Sequence, residues 1–160
     1  KAWIDADARL GAPVLRVFSG EVPIGQATDT VMGWLVEALQ ECAAYGQQYG
    51  VVVGVQNHGD FLQTAERCIE VVKKVDSPWL GLVVDSGNFK STDPYKDIAD
   101  VVPHAVNWQV KESPLGNGNP LRTDVKRNAT GAQASSSRGD QQTDRFIPIG
   151  TKLRRQIQGA

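Results

Sequence analysis

Short apolar runs alternate with amphipathic segments along most of the chain. The runs at residues 13–18, 51–56, 80–85 and 105–110 are rich in valine and have the length of strands, which predicts four buried strands. Between these runs, apolar residues recur every three or four positions, as in helices that bury one side. The order β, α, β, α, β, α, β indicates parallel strands joined by right-handed helical crossovers, and therefore an α/β fold.

Capping residues predict where the helices begin. Thr28 or Asp29 is expected to cap the first long helix and Asp60 the second, because short polar side chains accept hydrogen bonds from the first helical N–H groups. Asp93 followed by Pro94 predicts a third helix start, with proline at the first helical position. The expected buried faces are Val31, Trp34, Leu35, Ala38, Leu39, Cys42 and Tyr45 in the first helix, Leu62, Ala65, Ile69, Val72 and Val75 in the second, and Ile98, Val101 and Val102 in the third.

Three of the strands end in polar side chains, at the edge where parallel α/β sheets keep their chemistry. Trp108 alternates with polar neighbours in the last strand and is expected to face the helix layer instead. The polar residues are Gln56, Asn57 and His58 after the second strand, Asp85 and Asn88 after the third, and Gln109, Lys111 and Glu112 after the fourth.

Several of these residues have more than one possible role. Arg16 lies inside the first strand between apolar neighbours, so its guanidinium is expected to bind an anionic or hydroxyl-rich substrate, or to pair with a carboxylate such as Asp85. Asp85 could also cap the turn after its strand, since a buried acid needs a ligand or donors. His58 could be a structural loop residue, and Lys111 could pair with Glu112.

Composition and charge exclude several classes of protein. The chain has 160 residues, 41% of them hydrophobic, and a formal net charge of -1, which fits a domain with a sizeable core and gives no reason to expect nucleic acid. No apolar run is long enough for a bilayer and no secretory signal opens the chain, so a cytoplasmic protein without membrane contact is expected. The first residue is Lys1 and not Met, which indicates a processed product or a fragment. Cys42 and Cys68 are expected to be buried free thiols.

The character of the sequence changes towards its end. Residues 1–127 are interpreted as the folded domain and residues 128–160 as a low-complexity tail. Residues 128–145 contain few large apolar groups, so they are expected to bury too little surface to offset the entropy of ordering. Residues 146–149 are one further candidate for a short strand.

Four segments resemble the xylose isomerase-like TIM barrels, the sugar phosphate isomerase/epimerase family. They are LGAPVLRVFSG, GVVVGVQNHGDF, VDSGNF with DPYKDIA behind it, and VNWQVKES, in the family's order and at strand–helix spacing, over roughly residues 1–127. The resemblance implies that this chain supplies part of a (β/α)₈ barrel, with further βα units before its first residue. The opening segment then looks like the end of a helix that leads into the third barrel strand.

The resemblance also implies a divalent metal, Mn or Mg, bound by Glu, Asp, His and Glu at four strand ends. Two carboxylates would exchange the proton next to a sugar carbonyl. The corresponding positions here hold Gln56, Asp85, Gln109 and Gly150. A glutamine offers only a neutral carbonyl oxygen to a hard cation, and it cannot act as a general base. Metal binding that rests on Asp85 alone is therefore expected to be weak.

The function that the resemblance implies is a sugar or sugar-phosphate isomerase or epimerase with metal-assisted proton transfer. Two alternatives remain open: a non-catalytic relative that binds a small carbohydrate or sugar phosphate, and a truncated fragment. The family is enzymatic, but the isolated chain is expected to show little or no turnover. The candidate catalytic residues are Asp85, His58, Lys111 and Glu112, and the candidate substrate-binding residues are Arg16, Gln56, Asn57, Asn88 and Gln109, with Asp85 also the metal ligand.

Overall fold

The computed structural model describes residues 1–58, 61–115, 121–124 and 126. Within this part of the chain, no helix combines the length and the apolar character needed to cross a bilayer. The elements are α1 (Ala2–Leu10), β1 (Val14–Phe18), α2 (Thr28–Tyr49), β2 (Val52–Gln56), α3 (Ala65–Val75), β3 (Leu80–Asp85), α4 (Pro94–Val101), a 3₁₀ turn (Val102–His104) and β4 (Ala105–Gln109). The four strands and the helices between them confirm the expected order.

The strands form one parallel sheet in the order β1-β2-β3-β4. Strands that are neighbours in sequence are also neighbours in space, because each helix returns the chain to the next position. Arg16 pairs in register with Gly54, and Gly54 pairs with Gly81. A register shift follows in the β3–β4 ladder, after which Asp85 is opposite Gln109. Four parallel strands alternating with helices are the architecture of a partial TIM barrel.

One face of the sheet packs against the helices and forms the hydrophobic core. Trp108 is partly buried against this core, which confirms that it faces the helix layer. Each fully buried Val or Leu side chain stabilises the fold by about 1.5–3 kcal/mol. The core includes Val53, Val55, Leu80, Leu82 and Val84 from the strands and Ile4, Leu39, Ala43, Val71 and Ile98 from the helices.

The helix starts differ in part from the expected ones. Helix α2 begins at Thr28 with Ala27 as its N-cap residue, and no side chain caps it, so the expected cap at Thr28 or Asp29 is wrong. Helix α3 is capped by Thr64, whose hydroxyl oxygen accepts a hydrogen bond from the N–H of Arg67. The expectation that Asp60 caps this helix is therefore wrong, because the helix begins at Ala65, directly after Thr64.

The start of α4 agrees with expectation. Asp93 caps it, and its Oδ1 accepts a hydrogen bond from the N–H of Lys96 at 3.3 Å. Proline occupies the first turn, as its missing N–H allows. Asp60, Gly150, residues 128–145 and the strand candidate at 146–149 lie outside the described residues.

The buried side chains also differ in part from those expected. Trp34 and Ala38 were expected on the buried face of α2, but both are exposed. Leu62 is fully buried although it precedes α3. Both cysteines are free thiols, but only Cys68 is buried while Cys42 is partly exposed. Burial raises the pKa of the Cys68 thiol to about 12, so this group stays protonated near neutral pH and is chemically inert.

On the face of the sheet opposite the helices, two glycines leave room for neighbouring side chains. A Cβ added at Gly54 would stand 2.7 Å from Val83 Cγ2, 3.2 Å from Val14 Cγ1 and 3.3 Å from Val106 Cγ2. At Gly81 an added Cβ would collide with Val106 and lie 3.1 Å from the carbonyl oxygen of His104. The two glycines are adjacent in the ladder, so they leave space in the sheet that valine side chains fill.

We expect Gly54→Ala to lower the free energy of unfolding by about 1–3 kcal/mol, because the stiff valine side chains cannot move away without strain. Gly33→Ala in α2 is the matched control, since an added Cβ there meets nothing within 4 Å. The control should raise the free energy of unfolding by about 0.5–1 kcal/mol. Urea denaturation of both variants gives the comparison, and equal stability of the two would contradict the packing argument.

Candidate functional site

A cavity of about 320 Å³ opens at the C-terminal ends of the strands. Most of the residues expected from the sequence are brought together here: Arg16, Gln56, His58, Asp85, Asn88, Gln109 and Lys111 all line it. They meet because parallel strands in register deliver their last side chains to one edge.

Asp85 is the central group of this cavity and is only 1% exposed. Its Oδ1 accepts a hydrogen bond from the N–H of Gly87 at 3.1 Å. Its Oδ2 accepts from Nε2 of Gln56 at 2.9 Å and lies 3.3 Å from Nζ of Lys111. A buried carboxylate is tolerated when it is both paired and hydrogen-bonded, and Asp85 meets both conditions.

The side chain of Gln109 links Asp85 to Arg16. With its amide nitrogen towards Asp85, that nitrogen donates to Oδ2 at 3.1 Å, and the amide oxygen accepts from Nη1 of Arg16 at 2.7 Å. In the reverse orientation the oxygen accepts from Nε2 of Gln56 at 3.2 Å, but an amide nitrogen then faces the guanidinium. We assign the first orientation, because it gives Arg16 an acceptor and Asp85 a further donor, although it also brings the amide nitrogens of Gln109 and Gln56 to 3.2 Å from each other.

Asn57 is buried between the strands and does not line the cavity. Its Nδ2 donates to the carbonyl oxygen of Asp85 at 2.9 Å, and its Oδ1 accepts from the N–H of Asp85 at 2.6 Å. The side chain thus continues the β2–β3 ladder past the end of β2. Nδ2 of Asn88 donates to the carbonyl oxygen of Asn57 at 3.1 Å, which ties the following loop to the same point.

Lys111 and Glu112 point to different places. Lys111 reaches Asp85, whereas the side chain of Glu112 is 89% exposed and pairs with Arg122 at 3.0 Å. The two residues therefore do not pair with each other, and Glu112 does not line the cavity. The alternative of a local Lys111–Glu112 pair is wrong.

The mouth of the cavity carries an aromatic ring that the sequence analysis missed. Phe18 ends β1, and its ring centroid lies 5.0 Å from that of His58 in an edge-on arrangement. The guanidinium carbon of Arg16 is 5.0 Å from the same ring centroid, within the range of a cation–π contact. The two-residue spacing of Arg16 and Phe18 on one strand already places both on one face, so the signal was present.

Two further residues were missed, Lys90 and Ser86. Lys90 lines the cavity from the loop after β3. Ser86 is fully buried, and its Oγ accepts a hydrogen bond from the N–H of Lys111 at 2.8 Å. A serine in a turn has many possible partners, so the sequence held no signal for this contact.

Residues 1–153 match the model of a family described as xylose isomerase-like TIM barrel. The chain belongs to this family. No curated protein matches the sequence.

Solved structures of the same fold are similar to the chain. The IolI protein with a bound zinc atom is 16% identical, with a TM-score of 0.70 over 82% of this chain and 53% of that one. D-allulose 3-epimerase from Methylomonas sp. in complex with D-allulose is 18% identical, with a TM-score of 0.67 over 83% and 49%. A xylose isomerase-like TIM barrel protein from Mycobacterium smegmatis in complex with magnesium is 19% identical, with a TM-score of 0.59 over 69% and 42%. The chain thus spans about half the length of these barrels.

The described residues do not fit a divalent metal of the kind that some barrels of this family hold. Among the described residues, Asp85 is the one carboxylate that lines the cavity, and donors occupy both of its oxygens. One of those donors is the ammonium of Lys111, which would repel a cation. Gln56 directs its amide nitrogen, not its oxygen, at Asp85. In the described part of the chain, no group of three His, Cys, Asp or Glu side chains is placed to hold a metal ion.

We expect Asn57→Ala to lower the free energy of unfolding by about 1–3 kcal/mol, since it leaves the buried N–H of Asp85 without this partner, while the carbonyl of Asp85 keeps the longer hydrogen bond from the N–H of Asn88 at 3.4 Å. Asn107→Ala is the control, because Asn107 is exposed and, among the described residues, its Oδ1 accepts from the N–H of the next residue alone. The control should change stability by less than about 0.5 kcal/mol. A urea titration in which both variants behave alike would show that Asn57 does not hold the two strand ends together.

Proposed function

We propose that the chain binds a small carbohydrate in the cavity at the strand ends, as the sugar-binding part of an isomerase- or epimerase-type barrel. Family membership supports a carbohydrate ligand, since D-allulose 3-epimerase in complex with D-allulose has this fold. The observation that carries the proposal is the arrangement around Asp85. Fixed donors and a fixed acceptor line one cavity there, which is what a ligand with several hydroxyl groups requires.

The fixed acceptor is the amide oxygen of Gln56. The nitrogen of this amide donates to Asp85, so the orientation of the amide is set. Its Oε1 is buried and has no hydrogen-bond partner among the described residues. A buried carbonyl oxygen without a partner costs about 1–3 kcal/mol. A ligand hydroxyl that donates to Oε1 would remove this cost, and Gln56 lines the cavity.

The charges around the cavity favour an oxygen-rich or anionic sugar. Arg16, Lys90 and Lys111 contribute three positive charges to its lining, and Asp85 contributes one negative charge. Guanidinium and ammonium groups bind phosphate and carboxylate oxygens by charge-assisted hydrogen bonds. Sugar phosphates are therefore included in the proposed ligand class alongside neutral sugars.

Proton transfer next to a sugar carbonyl is the reaction class that we propose for the parent barrel. A base must take the proton from carbon, and a positive group must stabilise the oxygen as the electron pair moves to form the enolate. His58 at the mouth is a candidate base, and Lys111 is a candidate donor to the oxygen. Asp85 positions Lys111, since both of its oxygens already accept hydrogen bonds.

Sugar binding without turnover is the second candidate function. It is favoured by the presence of a glutamine at two positions, Gln56 and Gln109, where the family resemblance implies a proton-accepting or metal-binding side chain. An amide cannot accept a proton from carbon at neutral pH. The two candidates share the same ligand site and differ in whether the isolated chain exchanges a proton.

We expect the 160-residue chain to bind D-allulose, L-ribulose or ribulose 5-phosphate when titrated by calorimetry. Arg16→Met should weaken the phosphate ester about tenfold or more, because it removes a charge from the cavity without emptying its volume. Arg9→Met removes an exposed arginine on α1 and is the matched control. Binding that is equally reduced in both variants, or absent for every sugar, would contradict the proposed site.

We expect little or no incorporation of deuterium next to the carbonyl when the chain is incubated with these ketoses in D₂O. The reason is that the exchange implied by the family resemblance uses two carboxylates, whereas the described part of the lining holds one, Asp85, and donors occupy its oxygens. Proton NMR of the sugar follows the exchange. Exchange above the uncatalysed rate that disappears in His58→Ala would establish catalysis by this chain and exclude the second candidate.

A further inference from the structure

The turn after β3 is shaped to hold the side chain of Lys111. Ser86 Oγ accepts the N–H of Lys111 at 2.8 Å, and the N–H of Ser86 donates to the carbonyl of Gln109 at 2.9 Å. Both bonds fix the end of β4 against the end of β3. A Cβ added at Gly87 would stand 2.7 Å from Cγ and 2.9 Å from Cβ of Lys111. The glycine thus leaves the space through which the lysine stem passes.

The ammonium at the end of that stem meets the buried carboxylate. Nζ of Lys111 lies 3.3 Å from Oδ2 of Asp85, and the lysine side chain is 38% exposed while the aspartate is 1% exposed. Three consecutive residues, Asp85, Ser86 and Gly87, therefore each serve the same lysine: one by charge, one by a backbone hydrogen bond and one by the absence of a side chain. A surface ion pair formed by chance has no such supports.

From this geometry we infer that the ammonium of Lys111 replaces the divalent cation at Asp85, and that the cavity binds its ligand without a metal. The positive charge sits at the carboxylate, where a cation would have to displace it against like-charge repulsion. An ammonium has three N–H donors, and the contact with Asp85 uses one. The remaining donors can bind a carbonyl or phosphate oxygen of the ligand, the task that a metal performs as a Lewis acid.

The replacement of a cation by Lys111 concerns the protein without a ligand, whereas the binding of a ligand by the ammonium rests on the proposed carbohydrate function. The two are therefore tested separately. The first test uses Mn²⁺ as the probe, with no sugar present, and follows binding by electron paramagnetic resonance. The second uses inorganic phosphate and ribulose 5-phosphate, titrated in EDTA and again with added Mn²⁺.

In the first test, we expect the unsubstituted chain to bind Mn²⁺ no more tightly than about millimolar, as for a site without free anionic ligands. Lys111→Gln should bind Mn²⁺ about tenfold more tightly, because it exposes the charge of Asp85. Adding Asp85→Asn to that variant should abolish the gain in affinity for Mn²⁺. Lys111→Arg keeps the positive charge and should therefore still bind Mn²⁺ weakly. This variant separates the effect of charge from any loosening of the fold.

Lys96→Gln is the matched control, because Lys96 forms a surface ion pair with Asp100 on α4, away from the cavity. It should leave the affinity for Mn²⁺ unchanged. Micromolar binding by the unsubstituted chain would overturn the inference, as would an unchanged affinity in Lys111→Gln or an equal gain in Lys111→Arg. Circular dichroism checks that each variant is folded.

In the second test, ligand affinity should be the same in EDTA and with Mn²⁺, and Lys111→Gln should weaken ribulose 5-phosphate about tenfold. Binding that is lost in EDTA and restored by Mn²⁺ would overturn the metal-independent site. If neither phosphate nor any sugar binds, the proposed carbohydrate function fails, while the Mn²⁺ results still decide whether Lys111 holds the place of a cation.

Discussion

The rest of the site depends on one buried carboxylate at the end of the third strand. Asp85 is almost fully removed from water, so its charge must be balanced and its oxygens must be hydrogen-bonded by neighbours. Gln56 comes from β2, Gln109 and Lys111 from the end of β4, and Gly87 from the turn. The need to satisfy one acid thus joins three strand ends into a single arrangement.

That arrangement is possible because the sheet has two different faces. The side that packs on the helices carries large aliphatic side chains and supplies the stability. The other side carries Arg16, Gly54 and Gly81 in one row across three strands. The glycines leave space for neighbouring valines, and the polar groups lie beyond them at the strand ends. The apolar core and the candidate site thus lie on opposite faces of the same strands.

The family fold accounts for the position of the cavity, whereas the side chains around Asp85 account for its chemistry. The xylose isomerase-like TIM barrel provides strand ends that converge on a cavity, and the same fold can support different chemistries. In this chain the converging groups include two amides and an ammonium around one acid. Donors therefore surround Asp85, whereas a metal site would require several oxygen or nitrogen lone pairs directed at one point. These side chains, and not the fold, determine the chemistry of the site, because the fold allows both kinds of site.

The sequence by itself determined the parallel α/β order, because four short valine-rich runs alternate regularly with longer segments of helical spacing. It also determined that Gln56, Asp85 and Gln109 meet, since residues at the ends of neighbouring parallel strands share one edge. The family resemblance then provided a function class. The sequence also determined the N-terminal cap of α4, because Asp93 and Pro94 lie next to the helix start that they stabilise.

Only the tertiary structure decided what each polar group does. Lys111 and Glu112 are adjacent in sequence, yet one reaches the buried acid and the other faces solvent, because successive residues at a strand end point in different directions. Asn57 binds the backbone of Asp85, and Ser86 binds that of Lys111, across 28 and 25 residues of sequence. A hydrogen bond forms only when donor and acceptor are at the right distance to within a few tenths of an ångström. No pattern in the sequence encodes such distances between residues on different strands.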